Sequence, residues 1–322
     1  MALCRISFSL RLLWKQDIFV QMMGTGIFIR IWKNENPVAT VHINHGMAEH
    51  SQRYSLFAEY LVSLGFSVYA QDHRGHGYTK EDGETGWFAE SNGWRRVVSD
   101  AILVDSLITE ENPGIPHFVF GHSMGSFVTR ICLNLNSSAY DGACICGTGA
   151  SQGIVGRIGL HLARKRAAKY GSKAEDRLLD SLAFGNYTKH FPKEGKIAWL
   201  TKDKEERKKY EEDPLCGFLC TSSFYADLIT LSFAANDPEA CLSIRKDLPL
   251  MLISGDQDPV GDYGKGVEKV WRMYKQAGIE NVALQLFKND RHELLNETDK
   301  EDVMKCISDF FLGIMERQRT FK

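Results

Sequence analysis

Residues 118–126, Phe-Val-Phe-Gly-His-Ser-Met-Gly-Ser, constrain the fold of this chain more than any other stretch. An apolar triplet meets Gly-x-Ser-x-Gly, and Phe127, Val128, Ile131, Leu133 and Leu135 follow with helix-like recurrence. The pattern predicts a strand, a very tight turn with Ser123 at its tip, and a helix. Such a turn strains the serine backbone, and Gly121 and Gly125 let neighbouring backbone pass where a Cβ would clash. Ser123 is therefore a candidate nucleophile. The plainer reading of the same residues is an ordinary β-to-α turn.

Short apolar runs alternate with helical patterns on both sides of this turn. Residues 19–32 read as two strands joined at Gly24-Thr25-Gly26, and 38–43 as a third. Tyr54, Phe57, Ala58, Leu61 and Leu64 recur at helical spacing and stop at Gly65. A strand at 66–70 and a helix at about 94–109 precede the central turn, and a strand at 143–146 follows it. After Gly147-Thr148-Gly149-Ala150 the rhythm breaks. It resumes with a strand at 248–254, a helix at about 265–277, a strand at 282–287 and a helix at about 300–315. This alternation predicts an α/β fold, a mostly parallel central sheet flanked by helices with right-handed crossovers. The interruption at 151–246 has helical and loop patterns without a clear strand. It reads as an inserted, mainly helical cap over the carboxyl edge of the sheet, where α/β proteins bind ligands. The expected division is an N-terminal extension at 1–17, a core at 18–150 and 247–322, and the cap at 151–246. Within the extension, Ile6, Phe8, Leu10 and Leu12 alternate with polar residues as a strand would. Arg11 and the lack of a small-x-small site argue against a signal peptide there.

A chain of 322 residues accommodates one large α/β domain with an insertion. The formal charge of −2 argues against a dedicated nucleic-acid binder, which would carry a basic excess. No apolar run reaches the roughly 18–20 residues a bilayer span needs. The eight cysteines form no Cys-x-x-Cys pair and no zinc-like spacing with histidine. They read as small buried thiols, Cys216 and Cys220 with helical i, i+4 spacing, in a reducing, cytoplasmic compartment.

A serine hydroxyl needs a base within reach, and the base needs an orienting carboxylate. In this fold type the chain order is serine, acid, histidine. Of ten histidines only His292 lies beyond the cap, in Asn289-Asp290-Arg291-His292-Glu293 just after the last predicted strand. The acid should follow the penultimate strand, where Asp256, Asp258 and Asp262 compete. Asp258 is preferred because Pro259 fixes the local turn, and Asp256 stays open on spacing alone. An oxyanion needs backbone N–H donors, expected from Met124 after the nucleophile and from Met47 in His45-Gly46-Met47. His45, His50, His73, His76 and His122 match no metal-binding spacing and read as loop braces; no metal or cofactor is expected. Arg157, Arg164, Lys165, Arg166, Lys169 and Lys173 form a basic run without an acid. It reads as a solvated helix face or as a landing surface for anionic lipid or micelles.

His45-Gly46-Met47-Ala48-Glu49-His50-Ser51-Gln52-Arg53-Tyr54, Asp72-His73-Arg74-Gly75-His76-Gly77 and Gly121-His122-Ser123-Met124-Gly125 resemble the α/β-hydrolase superfamily. Within it they resemble the monoacylglycerol lipase and lysophospholipase branch of serine aminopeptidase S33 type. The resemblance runs from about residue 19 to the C-terminus. In that branch Gly-x-x-Asp supplies the acid, which implies Asp258 through Gly255-Asp256-Gln257-Asp258. The cap pieces Trp199-Leu200 and Asp213-Pro214-Leu215-Cys216-Gly217 are similar to bacterial members. Two departures stand out: Met47 occupies a position usually small, and the N-terminal extension has no counterpart. The resemblance implies a serine hydrolase cleaving monoacylglycerols or lysophospholipids through an acyl-enzyme, with Ser123, His292 and Asp258 catalytic and Met47 and Met124 N–H groups on the oxyanion. Its partners would be an acyl ester or lipid and a transiently touched membrane or micelle surface, with no nucleic acid and no obligate protein. An iminopeptidase-like peptidase and a short-chain carboxylesterase are neighbouring readings. A catalytically silent binding module is the non-enzymatic one, against which the intact Ser, Asp and His set argues.

Overall fold

The computed structural model describes residues 14–22, 25–80 and 84–320. Strands β1 (Trp14–Met22) and β2 (Thr25–Lys33) form an antiparallel hairpin, and β2 pairs antiparallel with β4 (Phe66–Gln71). From there β3 (Ala39–Asn44), β5 (His117–His122), β6 (Gly142–Cys146), β7 (Leu250–Gly255) and β8 (Val282–Phe287) add in parallel. The sheet order is β1-β2-β4-β3-β5-β6-β7-β8. The five central strands β3 to β7 are buried at every position, as parallel strands covered on both faces must be.

In chain order the helices are α1 (Ser55–Ser63), α2 (Gly93–Glu111), α3 (Met124–Asn136), α4 (Gly153–Tyr170), α5 (Arg177–Phe184), α6 (Lys204–Glu212), α7 (Ser222–Ala235), α8 (Pro238–Cys241), α9 (Lys265–Gln276) and α10 (Lys300–Thr320). Strand alternation splits the core into two layers. Val119 points to the side packed by Val97, Val128, Ile131 and Val270, while Phe118 and Phe120 face Phe57, Leu61, Ile307 and Phe311. Phe118 stacks on Phe311 with ring centroids 4.6 Å apart.

Helices α4 to α8 all lie between β6 and β7, and that segment adds no strand to the sheet. We call it the cap. One buried side chain holds the chain near both of its ends. Arg130 of α3 donates to Thr148 Oγ1 (3.1 Å) and Gly149 O (3.2 Å) where the chain leaves the core, and to Ala235 O (2.7 Å) and Asn236 Oδ1 (2.8 Å) at the end of α7. A fifth hydrogen bond runs from its Nε to Tyr274 OH. Arginine's planar fork of five donors suits such convergence on neutral acceptors.

Two expectations change. Strand β1 begins at Trp14, paired with Lys33, so residues 14–17 belong to the sheet and not to an extension. Arg30 anchors the pairing by donating to Asp17 at 3.0 Å. The strand expected over residues 6–12 lies outside the described residues. Cys216 and Cys220 fall in irregular chain between α6 and α7, so their helical spacing has no helix behind it. The seven described cysteines are all free, and six are buried.

Candidate active site

Ser123 lies between β5 and α3 with φ 52° and ψ −119°, a conformation that non-glycine residues avoid. The flanking glycines make it reachable. A Cβ on Gly125 would stand 2.1 Å from Asn44 O, and one on Gly121 would stand 2.3 Å from Thr129 Oγ1. The turn is tied to β6 by Ser123 N–H donating to Cys146 O at 3.0 Å. Ser123 is partly exposed while its neighbours His122 and Met124 are buried.

His292, in the loop after β8, places Nδ1 2.9 Å from Asp258 Oδ2, and both residues are buried. A carboxylate only accepts, so Nδ1 carries the proton and Nε2 keeps its lone pair. Asp258 is itself fixed by the Val260 N–H (2.8 Å) and the Ser254 hydroxyl (3.2 Å). Asp256 instead accepts from the Gln257 side chain and the Asn289 N–H, as a turn former does. Of the competing aspartates, the one brought to His292 is Asp258.

Ser123 and His292 are not hydrogen-bonded to each other here; His122 packs against His292. Its ring centroid is 4.7 Å from that of His292, and its Nε2 is 3.2 Å from His292 O. A Cβ on Gly46 would meet His122 Nδ1 and Ser123 Cβ, both at 3.2 Å. Gly46 thus lets the loop after β3 approach the serine. Met47 follows in that loop, and Met124 opens α3, where the first N–H groups have no intrahelical acceptor.

Behind this loop lies a buried charge network. Glu49 accepts from Gly46 N–H (2.6 Å), Tyr54 OH (2.8 Å) and Arg53 (2.7 Å), with His122 Nδ1 at 3.2 Å. Arg53 also grips Glu293 through two bonds of 2.7 Å and lies over the Tyr210 ring of the cap. Burial pushes the Glu49 carboxyl up, but Arg53 and His122 outweigh it and hold the group well below its ordinary range. Burial pulls His122 down, and the bond and charge of Glu49 reverse this, leaving the imidazole above its ordinary value. Sequence reasoning quoted Glu49, Arg53 and Glu293 without giving them a role. The available signal was the i, i+4 spacing of Glu49 and Arg53 and the position of Glu293 beside the only late histidine.

The cap holds the His292 loop as well as covering it. Trp199 O and Leu200 O accept from the N–H groups of His292 (3.3 Å) and Glu293 (2.7 Å). The Trp199 ring packs 5.1 Å from the His292 ring and stacks on Phe184, with Tyr187 edge-on. Buried Glu297 accepts from Arg291 N–H, Lys202 N–H and the Thr201 hydroxyl. The other loop histidines brace their own surroundings. His45 Nδ1 donates to Gly46 O (2.7 Å) while its Nε2 accepts from His73 N–H (2.9 Å), which uses both nitrogens of a neutral ring. Burial lowers His45, and it lowers His76 to about 3. His50 pairs through Nε2 with Asp213 of the cap at 2.9 Å.

A mostly parallel eight-stranded sheet, a strained serine turn after its fifth strand and a buried Asp-His pair after its last two strands define an α/β-hydrolase. The chain belongs to the serine aminopeptidase, S33, family, whose pattern matches residues 35–299. It is 26% identical over 290 residues to a monoglyceride lipase homolog of Monkeypox virus, covering 87% of this chain and 92% of the relative. It is 27% identical over 298 residues to the monoglyceride lipase of Homo sapiens, with 88% and 85% covered. Among solved structures, a thermostable carboxyl esterase from Bacillus coagulans in complex with glycerol superposes with a TM-score of 0.87 at 26% identity, covering 93% of this chain and 98% of that one. The fold and branch expected from the motifs are those found.

Proposed function

We propose that this carboxylic ester hydrolase cleaves monoacylglycerols through an acyl-enzyme formed on Ser123. The observation that carries the reading is the buried 2.9 Å bond between Asp258 and His292 next to the strained serine turn. In the first step Ser123 Oγ attacks the acyl carbonyl as His292 Nε2 takes its proton, and Asp258 steadies the imidazolium. The N–H groups of Met47 and Met124 bind the oxyanion. Collapse breaks the ester bond; the proton on His292 passes to the leaving glycerol oxygen. Water, deprotonated by His292, then attacks the acyl-enzyme and frees the fatty acid and Ser123.

Two kinds of support favour a glyceryl ester over an N-terminal peptide bond. The two relatives named above are a monoglyceride lipase and a monoglyceride lipase homolog, and the Bacillus coagulans neighbour holds glycerol, the alcohol such a reaction releases. An aminopeptidase needs a free carboxylate for its substrate's ammonium group, whereas Glu49 and Glu293, beside the site, are both engaged by Arg53. The cap supports contact with a lipid surface. Ile154, Val155 and Ile158 of α4 are 75%, 71% and 65% exposed, among the basic residues of the same helix. None of the helices is long and apolar enough to cross a membrane, among the described residues. The free, buried cysteines suit a reducing compartment such as the cytoplasm.

Replacing Ser123 with alanine is expected to lower monoacylglycerol turnover by roughly six orders of magnitude and to abolish fluorophosphonate labelling, with the melting curve retained. Turnover that survives the substitution rules out the acyl-enzyme on Ser123. Across monoacylglycerol, lysophospholipid and short aryl esters, kcat/KM should be highest for the first; a maximum elsewhere reassigns the substrate and leaves the mechanism intact.

A further inference from the structure

A second set of chemically able side chains lies where the cap meets the loop that follows Gly46. One nitrogen of His50, a carboxylate oxygen of Asp213 and the sulfur of Cys216 all lie within 4.8 Å of one another. His50 and Cys216 are buried, and Asp213 is partly so. His50 Nε2 bonds to Asp213 Oδ2 and is therefore the nitrogen that would face an ion shared with Asp213; its Nδ1 is buried with no partner among the described residues. The two segments that supply the set are fixed to each other by backbone. Gly217 N–H donates to Ala48 O at 2.9 Å, and Tyr210 OH donates to the same oxygen at 3.0 Å. Asp213 is held by its own turn, its Oδ1 accepting from Leu215 N–H at 2.8 Å and its carbonyl from Cys216 N–H at 3.0 Å.

We propose that His50, Asp213 and Cys216 form a binding site for a zinc-type divalent cation that clamps the cap to the loop beside the active serine. Imidazole, carboxylate and thiolate are the ligand types that zinc takes, and three protein ligands leave its fourth position for water. Tetrahedral bonds of about 2.0–2.3 Å put ligand atoms roughly 3.3–3.7 Å apart, so the widest of the present separations contracts by up to about 1.5 Å and the 2.9 Å His50–Asp213 pair opens slightly. The charge balance also favours a cation. The Arg53 charge acts on both Asp213 and Cys216, but it is already bracketed by Glu49 and Glu293. With Asp213 there are three carboxylates to one guanidinium. Binding exchanges the Cys216 thiol proton for the metal and releases that proton to solvent, while His50 trades its bond to Asp213 for a bond to the ion. No electron is transferred. The ion links the cap segment after α6 to the residue next to Glu49, which holds the Gly46 N–H.

The test uses the full chain, stripped by chelator and titrated with Zn2+ and separately with Co2+. One equivalent of Zn2+ is expected, and the Co2+ form should show a thiolate-to-cobalt charge-transfer band. Cys216→Ser should remove the band, and Asp213→Asn and His50→Gln should each weaken Zn2+ binding by more than the roughly 10–100-fold that loss of an outer-shell partner costs. Asp213 is partly exposed, so its variant keeps the test informative if substitution of a buried ligand disturbs folding. Fluorophosphonate labelling of Ser123 reports whether each variant is folded. The proposal is overturned if the unmodified chain binds no stoichiometric Zn2+, or if the cobalt band persists in folded Cys216→Ser. Neither result bears on the ester hydrolase reading, which rests on Ser123.

Discussion

Asp258 accepts from His292, Ser254 and Val260 and has no exposed surface, whereas two positions earlier Asp256 caps a turn at the protein's edge. The two residues should therefore respond differently to the same change. In Asp258→Asn the new amide favours the wrong tautomer of His292, and kcat should fall by about 10⁴ with geometry kept. In Asp256→Asn the side-chain oxygen still accepts from Asn289, so kcat should stay near that of the unmodified protein. Steady-state ester kinetics on both variants decides, and a larger loss at Asp256 would move the acid there. His292 was legible because no other histidine follows the cap. Asp258 was legible only as the preferred member of a pair, since spacing cannot say which carboxylate a loop turns inward. The network of Glu49, Arg53 and Glu293 escaped because Glu293 lies 240 positions from Arg53, and all three read like ordinary surface charges until the fold buries them.

The strands that read most clearly were those buried on both faces, because an unbroken apolar run such as Phe118-Val119-Phe120 has few alternatives between two glycine-bounded helices. The hairpin strand β1 was read too short, since its outer face is solvated and its pairing with β2, not its own pattern, extends it to Trp14. Helix α4 shows what periodicity leaves open. Its basic run reads as a solvated face, but the helix also leaves Ile154, Val155 and Ile158 largely uncovered. Uncovered aliphatic side chains flanked by lysine and arginine suit the boundary between headgroups and acyl chains. Ile154→Asp combined with Ile158→Asp should weaken co-sedimentation with anionic vesicles and slow turnover of vesicle-borne monoacylglycerol several-fold. Hydrolysis of a soluble aryl ester should be unaffected. Equal losses on both substrates would mean that the face serves the cap's own stability.

Cap and core meet again far from the serine, at the N-terminus of α2. Asp227 of α7 reaches the backbone of Gly93 and Trp94, next to Arg164 of α4, along a crevice of about 280 Å³. Burial raises its carboxyl to about 6, opposed only in part by the Trp94 N–H and the Arg164 charge. The folded state thus holds this proton more tightly than the unfolded chain does. Its stabilising contribution is complete below about pH 4 and is lost as pH rises through 6. Asp227→Asn should remove that dependence. The difference in Tm between variant and unmodified protein should grow between pH 4 and pH 7 in favour of the variant, and scanning calorimetry at fixed ionic strength measures it. A constant difference across that range would show that Asp227 titrates normally in the fold. The layered sheet and the meeting of Asp258 with His292 were visible in the order of residues along the chain. How the cap is fastened was not, because fastening depends on which distant groups become neighbours.

That fastening bears on how such proteins diversify. Chain enters the cap past Thr148 and Gly149 and finishes α7 at Ala235 and Asn236, and a single guanidinium from α3 grips both places. The two crossings are held at a fixed spacing by a residue of the scaffold, so what lies between them can lengthen, shorten or be exchanged as one cassette. A transplanted cap needs to present a helix-terminal carbonyl and a small acceptor to Arg130. The exchange is not free of the site, because the stretch between the crossings also holds the His292 loop through Trp199 O and Leu200 O, and a new cap has to supply those two acceptors as well.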